Sequence, residues 1–244
     1  MKIDYTRYYL KWHDDSDTHR TAMISHYRNL LEALLPADKG AKVMDVGCGM
    51  GFALVSLREM GFTNLSGVES DEGQAKSCQA KKLDVTLADD TIEFLKQRTG
   101  TYDLIICLDV IEHIPVAIQL AFVHALSGAL RPGGKLICTV PNANSALAAR
   151  QRYNDWTHAA SFTEHSLDFL LFNGGFTDIK VTGHEFNRRP KTVWLPVSGA
   201  RHWWAFRFFR LFRRLEAMAE LGPGQGRTGP LSLNLIATAN KKGV

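Results

Sequence analysis

The sequence contains no apolar run long enough to cross a bilayer, which takes about 20 consecutive apolar residues. Its first residues, Met1 to Tyr5, lack the apolar stretch of a secretory signal peptide, so we expect a cytoplasmic protein. Low-complexity tracts, heptad runs and internal repeats are also absent, and residues 1–244 are predicted to form a single domain. A formal net charge of +4 is too small to indicate a nucleic acid partner, and we expect none.

Cysteine is scarce and follows no pattern. The four cysteines, Cys48, Cys78, Cys107 and Cys138, show no spacing typical of a metal site. Three of them lie in or beside segments predicted to be core strands, where a thiol serves as a small apolar side chain. We therefore expect free, buried cysteines in a reducing compartment. No metal site is predicted, and none is expected from the acidic, histidine-bearing stretch 13–19.

A glycine loop follows the first predicted strand, Val43–Val46. Glycines let a ligand lie against bare backbone, because side chains at those positions would block it. The dinucleotide spacing G-x-G-x-x-G/A requires a small residue where Phe52 stands, and the phosphate loop G-x-x-x-x-G-K-[ST] is absent. Asp45, ahead of the glycines, would repel a pyrophosphate but attract the ammonium of S-adenosylmethionine, which carries no phosphate. We predict that S-adenosylmethionine is bound by Asp45, Gly47, Cys48, Gly49 and Gly51.

Acidic residues also end the next two predicted strands, 64–69 and 84–87. Glu69 lies about 20 residues past the glycine loop, where a carboxylate can accept hydrogen bonds from ribose hydroxyls. After the third strand, one of Asp89 and Asp90 is expected to accept the adenine amine while the other caps the helix that begins near Thr91; Asp89 is favoured for adenine. The cofactor-binding candidates from this region are Glu69, Ser70, Asp89 and Asp90.

Strands continue to alternate with amphipathic helices along the rest of the chain. This alternation predicts an α/β fold with a mostly parallel sheet and helices on both faces. Ligands in such sheets bind at the carboxyl ends of the strands, where every acid named above lies. The remaining predicted strands are 102–108, 135–140, 178–182 and 231–238.

The ordered motifs D-V-G-C-G-M-G, G-V-E, A-D-D, Y-D-L-I-I-C-L-D-V-I-E-H and L-R-P-G-G-K-L resemble those of class I S-adenosylmethionine-dependent methyltransferases over roughly residues 40–185. Within that superfamily the chain is most similar to the group of ubiquinone-biosynthesis O-methyltransferases and glycan-cluster methyltransferases. The resemblance implies a Rossmann-like sheet of seven strands, the last one antiparallel. It also implies that Leu108, Asp109 and Val110 run beside the cofactor sulfonium, with Asp45 at the methionine end, Glu69 on the ribose and Asp89 near adenine.

Two histidines are candidates for a catalytic base. His113 falls in the first turn after the fourth strand, beside the expected methyl position, and His158 lies on the segment after the fifth strand, which often covers the acceptor. Each could instead have only a hydrogen-bonding or packing role. An unperturbed histidine titrates near pH 6.5 and suits proton removal from a hydroxyl.

The acceptor is predicted to be a hydroxyl, because the N-P-P-Y type tetrad used for amide and ring amines is absent. We expect O-methylation of a sugar, glycan or glycolipid hydroxyl, or alternatively of a quinone or small phenolic acceptor. A cofactor-binding partner subunit without activity is a third alternative, and the intact glycine loop speaks against it.

Residues 1–35 are predicted to form an N-terminal lid that includes a helix over 22–35. The aromatic residues Tyr8, Tyr9 and Trp12 are expected either to cover the cofactor or to dock on the sheet edge.

Residues 184–230 form a predicted insertion between the last two strands, and 201–221 should be one helix. On a helical projection its arginines and its large apolar residues fall on opposite sides. Such a helix could lie in a membrane interface, dock on its own domain, or form a dimer contact. An oligomer is therefore possible. The arginines are Arg207, Arg210, Arg213 and Arg214, and the apolar residues are Trp204, Phe208, Leu211, Phe212 and Leu215.

Overall fold

The computed structural model describes residues 5–11, 13–14, 16–184 and 198–243. Its strands are Val43–Val46 (β1), Leu65–Glu69 (β2), Val85–Leu87 (β3), Tyr102–Leu108 (β4), Leu130–Pro141 (β5), Phe176–His184 (β6) and Asn234–Lys241 (β7). They form one sheet in the order β3-β2-β1-β4-β5-β7-β6, in which β7 runs antiparallel to both of its neighbours and the other pairs are parallel. The predicted α/β class, the seven strands and the antiparallel last strand are confirmed.

Helices cover both faces of this sheet. They are Tyr5–Tyr9 (α1), Asp17–Leu31 (α2), Phe52–Glu59 (α3), Glu72–Ala80 (α4), Thr91–Lys96 (α5), Val116–Ala129 (α6), Ala148–Asn154 (α7), Glu164–Asn173 (α8) and Ser198–Thr228 (α9), with a 3-10 turn at Ile111–His113. Strand β4 shows how the two layers arise. Its side chains alternate between the faces, so Ile105 packs in the layer of α5, α6 and α8 while Leu104 and Ile106 pack in the layer of α2 and α3. All four cysteines are free and buried, as predicted.

Several boundaries differ from the predicted ones. Helix α2 begins at Asp17 rather than near position 22, because the Ser16 hydroxyl accepts the His19 amide at 3.2 Å and caps the helix there. Strand β7 lies about three residues later than predicted, since its register is set by pairing with β5, in which Pro141 lies opposite Asn234. Strand β5 extends back to Leu130, which pairs with Tyr102 across an irregularity in the ladder.

Helix α9 contains the helix predicted over 201–221 but continues past it. Gly222 has non-helical backbone angles (φ 79°, ψ 164°), and helical structure then resumes at Pro223. Glycine permits the break, and proline is favoured in the first turn of a new helix. The glycines and proline at 222–224 therefore interrupt the helix instead of ending it. Within the described part of the chain, no helix combines the length and hydropathy that crossing a membrane requires.

Candidate cofactor and acceptor site

A cavity of about 890 Å³ lies at the carboxyl ends of the central strands. Small-molecule sites have roughly this size, about 300–1,000 Å³. The structure brings most of the predicted site residues together around it. The lining includes Asp45, Gly47, Cys48, Gly49, Glu69, Ser70, Asp89, Leu108, Asp109, Val110, His113 and His158.

The glycine loop approaches this cavity with its backbone. Gly49 has a left-handed conformation (φ 55°), and a Cβ there would lie 3.0 Å from the Gln74 side chain and 3.2 Å from the Tyr9 hydroxyl. Gly51 is not among the residues that line the cavity, so its contact with the cofactor stays a prediction. It is also left-handed, and a Cβ would overlap the Leu83 side chain, so this glycine is needed for packing at the start of α3.

Asp45 is 2% exposed at the end of β1. Burial raises the pKa of its carboxyl to about 8, and the charge of Glu69 contributes further. A cationic ligand beside Asp45 would offset this desolvation and favour the ionised form. The buried acid next to a bare backbone cradle therefore fits the ammonium of S-adenosylmethionine.

Glu69 is held by backbone amides. Its Oε2 accepts the Gly49 N–H at 2.8 Å, and its Oε1 accepts the N–H groups of Ser70 and Asp71 at 2.8 and 2.9 Å. Asp71 in turn caps α4 by accepting the Gln74 amide at 3.0 Å, so Glu69 does not serve as the cap. A carboxylate offers about four acceptor positions. The Ser70 hydroxyl also lies 3.5 Å from Oε1, so Oε1 is fully used and Oε2 keeps about one position for a ribose hydroxyl.

The acids after β3 separate into two roles. Asp90 caps α5, because its Oδ1 accepts the Glu93 amide at 2.9 Å. It is not among the residues that line the cavity, and its place among the cofactor-binding residues stays a prediction. Asp89 is exposed and lines the cavity. This placement supports Asp89 over Asp90 for the adenine amine, a role that stays a prediction.

Asp109 follows β4 in a left-handed conformation (φ 54°), which is uncommon for a residue with a side chain and is concentrated at functional sites. Its N–H lies 3.0 Å from the Thr139 hydroxyl oxygen, and that hydroxyl donates to Asp109 Oδ1 at 2.9 Å. Asn234 donates to the same oxygen at 3.2 Å. Burial raises the pKa of the Asp109 carboxyl, although the hydrogen bond from Thr139 opposes this shift. Asp109 is thus fixed at the cavity by β5 and β7.

The two candidate bases lie side by side. The His113 and His158 rings are 4.6 Å apart at an interplanar angle of 67°. His113 Nδ1 lies 2.8 Å from the Thr157 hydroxyl oxygen, and His158 Nδ1 lies 2.8 Å from the Gln151 carbonyl oxygen. Burial lowers the pKa of His113 to about 4, with His158 adding to the shift and Asp155 opposing it. The expectation of titration near pH 6.5 is therefore wrong for His113, which is neutral at pH 7.

Glu112 is the third ionisable group at this end of the cavity. It is 1% exposed, and its Oε2 has no hydrogen-bond partner among the described residues. Burial raises its pKa well above the ordinary value, and the charges of Asp109 and Asp155 contribute. Glu112, His113 and His158 each offer a ligand atom within 4.8 Å of the others, a donor set that a divalent cation could accept. The absence of a metal stays a prediction.

Comparison with known proteins identifies the family. A protein-family model described as a methyltransferase domain matches residues 17–181, which is more than half of the chain. The chain belongs to this methyltransferase family. The glycine loop and the strand-end acids, which predict S-adenosylmethionine as the cofactor, agree with this family.

The methyltransferase is similar to ubiquinone biosynthesis O-methyltransferases. It is 34% identical over 110 residues to the one from Idiomarina loihiensis, a match that covers 43% of this chain and 44% of that protein. It is 31% identical over 164 residues to the one from Dinoroseobacter shibae, covering 61% and 65%. The matches thus span between 44% and 65% of the length of these curated relatives.

A solved structure shares the fold of the methyltransferase. It is an S-adenosylmethionine-dependent methyltransferase from Archaeoglobus fulgidus, with a TM-score of 0.64 and 22% identity over 91% of this chain and 94% of that one. At this identity the likeness shows the fold.

Helix α1 of the methyltransferase lies across the cavity. The Thr6 amide donates to Asp71 Oδ2 at 3.2 Å on the cofactor side, and the Tyr5 hydroxyl donates to Asp155 Oδ2 at 2.8 Å on the other side. Tyr8 and Tyr9 line the cavity, whereas Trp12 lies outside the described residues. This placement supports the covering alternative for the N-terminal aromatics, and their role as a lid stays a prediction.

Sequence reasoning missed several lining residues of the methyltransferase. Asn234 enters from the start of β7, Gln74 from α4 and Thr157 from the segment after α7. None belongs to a recognisable motif. The one available signal was the position of Thr157 directly before His158.

Proposed function

We propose that the methyltransferase methylates a hydroxyl oxygen and that His113 is the general base. The supporting observation is the place of His113 in the cavity that the glycine loop lines, with Nδ1 beside Thr157 and Nε2 left to accept a proton. S-adenosylmethionine supplies a methyl group activated by the sulfonium charge. His113 would take the proton as the hydroxyl oxygen bonds to the methyl carbon and the carbon–sulfur bond breaks, with S-adenosylhomocysteine as the leaving group. A base with a pKa of about 4 suffices at that moment, because a hydroxyl becomes strongly acidic as its oxygen is alkylated.

We favour a phenolic or quinol acceptor. The related proteins are ubiquinone biosynthesis O-methyltransferases, and aromatic and apolar side chains such as Tyr27, Ile114 and Phe122 line the cavity. A flat aromatic ring gains more from such walls than a polar sugar does.

A sugar or glycan hydroxyl is the second candidate, and one observation favours it. An alcohol ionises less readily than a phenol and depends more on a positioned base, which His113 provides.

The experiment is turnover of S-adenosylmethionine with catechol-type phenols and with sugar derivatives, for wild type and His113→Ala. We expect His113→Ala to lower turnover by roughly 10²- to 10⁴-fold for an alcohol and by less for a phenol, with cofactor affinity nearly unchanged. His165→Ala is the matched control, since His165 is exposed and lies outside the cavity lining. Near wild-type turnover of His113→Ala and His158→Ala would contradict the proposal. Activity lost on chelation and restored by a divalent cation would instead assign Glu112, His113 and His158 to a metal.

We further propose that α9 contacts a membrane surface. The side chains of its apolar stripe are 46–56% exposed, whereas Arg210 and Arg214 on the other side are half-buried. Arg214 donates to the carbonyl oxygens of Gly226 and Gly229 at 2.8 and 2.7 Å, at the end of the same helix. Arg210 and Arg214 also line a second cavity together with Val181 and Thr182 of β6, so the arginine side faces the sheet. The stripe consists of Trp204, Phe208, Leu211, Phe212 and Leu215.

This orientation leaves the apolar side of α9 available to lipid, and the exposed Arg207 and Arg213 suit anionic headgroups. Docking on its own domain would have buried the aromatic side instead. A peripheral position on the cytoplasmic face of a membrane follows from this proposal and would bring the enzyme close to a quinol or a lipid-linked acceptor.

A further inference from the structure

We infer that Thr157 and Asp155 position the general base: together they hold His113 in the tautomer with its proton on Nδ1, which leaves Nε2 to accept the acceptor proton. The catalytic part of this inference rests on the proposed function of His113, and the tautomer itself does not.

The direction of the hydrogen bonds decides the tautomer. Asp155 Oδ1 accepts both the N–H and the hydroxyl of Thr157, at 2.8 and 2.6 Å. The Thr157 hydroxyl has a single proton, which it gives to Asp155. Towards His113 Nδ1, 2.8 Å away, Thr157 Oγ1 can therefore only accept, so Nδ1 must carry a proton.

This chain of bonds requires an ionised Asp155. Asp155 is 5% exposed, and burial alone would raise the pKa of its carboxyl. Hydrogen bonds from the Thr157 hydroxyl and amide and from the Tyr5 hydroxyl outweigh that effect and hold the pKa below its ordinary value. An ionised carboxylate only accepts, which fixes the direction of the chain from His113 to Asp155.

The hydrogen-bond partners of Nδ1 distinguish His113 from His158 as the general base. His158 Nδ1 lies against the carbonyl oxygen of Gln151, which fixes the same tautomer through a neutral acceptor. His113 is connected through Thr157 to a carboxylate, which stabilises the imidazolium formed when Nε2 takes a proton. The structure therefore assigns the base role to His113 in preference to His158, with Thr157 and Asp155 as positioning residues.

Nitrogen NMR of ¹⁵N-histidine-labelled protein tests the tautomer without any acceptor. In wild type we expect Nδ1 of His113 to show the shift of a protonated, pyrrole-type nitrogen and Nε2 that of an unprotonated, pyridine-type one; His113→Gln assigns the signals. Thr157→Ser should preserve this pattern, while Thr157→Val, which keeps the shape but lacks the hydroxyl, should lose it. His158 is the internal control and should not change. A His113 protonated on Nε2 in wild type, or unchanged in Thr157→Val, would overturn the inference.

Kinetics on a verified acceptor test the positioning role. Thr157→Val should lower kcat roughly 10-fold or more with unchanged cofactor affinity, and Thr157→Ser should restore it. If His113→Ala abolishes turnover while Thr157→Val retains wild-type kcat, the positioning role is wrong and the proposed base stands. If His113→Ala retains turnover although the tautomer is as inferred, the proposed base fails and the hydrogen-bond assignment stands.

Discussion

At the scale of single residues, Asp45 links electrostatics to cofactor binding. Burial, and to a smaller extent the charge of Glu69, raises the pKa of its carboxyl to about 8. At pH 7 this carboxyl is mostly protonated, whereas an ammonium partner needs it ionised. If Asp45 receives the ammonium, cofactor binding must release a proton.

Cofactor affinity should therefore depend on pH. We expect affinity for S-adenosylmethionine to rise with pH, by up to about tenfold per pH unit, and to level off above about pH 8. Asp45→Asn should flatten this dependence and weaken binding by about 10- to 150-fold, since a charged hydrogen-bond partner is lost. Calorimetry across pH measures both, and Asp89→Asn, in the same cavity, should keep the slope. A wild-type affinity that does not change between pH 6 and 9 would show that Asp45 is not the ammonium partner.

At the scale of elements, α9 differs from an ordinary surface helix in which side it exposes to solvent. The side chains of its apolar stripe face outward, although Trp203 and Phe206 are half-buried, and part of its arginine side faces the protein. Helix α8 also exposes aromatic residues, Phe169 and Phe172, but the arginines of α9 have no counterpart within it. Helix α8 therefore shows exposed aromatic residues alone, whereas α9 combines them with arginines.

Liposome flotation tests the α9 proposal. We expect the protein to float with anionic liposomes at low salt, because the stripe enters the interface while Arg207 and Arg213 meet the headgroups. Replacing Phe208 and Phe212 with alanine should abolish flotation. Each of Arg207→Gln and Arg213→Gln should weaken binding by about 1 kcal/mol, or about fivefold. Arg214 is left unchanged, because it holds the carbonyls at the end of α9.

Alanine at Phe169 and Phe172 is the matched control and should leave flotation intact. A protein that stays at the bottom of the gradient at both low and high salt would contradict membrane contact. A dimer in solution that becomes monomeric when Phe208 and Phe212 are replaced would instead assign the stripe to a second copy of the chain.

At the scale of the whole molecule, buried acids and buried histidines oppose each other in the dependence of stability on pH. Burial raises the pKa values of Asp45, Asp109 and Glu112 and lowers those of His13 and His113. The histidine effects end above the ordinary histidine pKa of 6.5. Between there and about pH 8 the folded chain holds protons on its acids that the unfolded chain has lost, so stability falls as pH rises.

The cofactor-free protein should thus be more stable at pH 6.5 than at pH 8. For Asp45 alone the expected decline approaches about 1.4 kcal/mol per pH unit below its pKa. Urea unfolding at pH 6.5, 7.2 and 8 measures this slope, which Asp45→Asn should reduce. Equal slopes in wild type and variant would show that Asp45 is ionised in the folded protein. Below pH 6.5 the neutral His113 acts in the opposite direction, and His113→Gln should be less sensitive to acid.

The parts of the molecule that could be predicted from sequence are those specified by local patterns. The glycine loop and the acids at strand ends lie at one edge of the sheet because parallel strands end together. Residues brought in by distant segments could not be predicted. Tyr5 meets Asp155 across 150 residues, and Thr157 meets His113 across 44. The lowered pKa of His113 could not be predicted from the sequence either, since it depends on burial by those distant segments.

Helix α1 is held by Asp71 beside the cofactor loop and by Asp155 beside the proposed base. If α1 closes over both ligands, as the lid prediction holds, this short helix couples them, and the effect of each ligand on the affinity of the other is reciprocal. Free energy that the cofactor contributes to ordering the helix is free energy that the acceptor no longer has to supply, and the acceptor strengthens cofactor binding by the same factor. The order in which the two ligands arrive then changes the rates of the individual steps but leaves the affinity of the complete assembly the same.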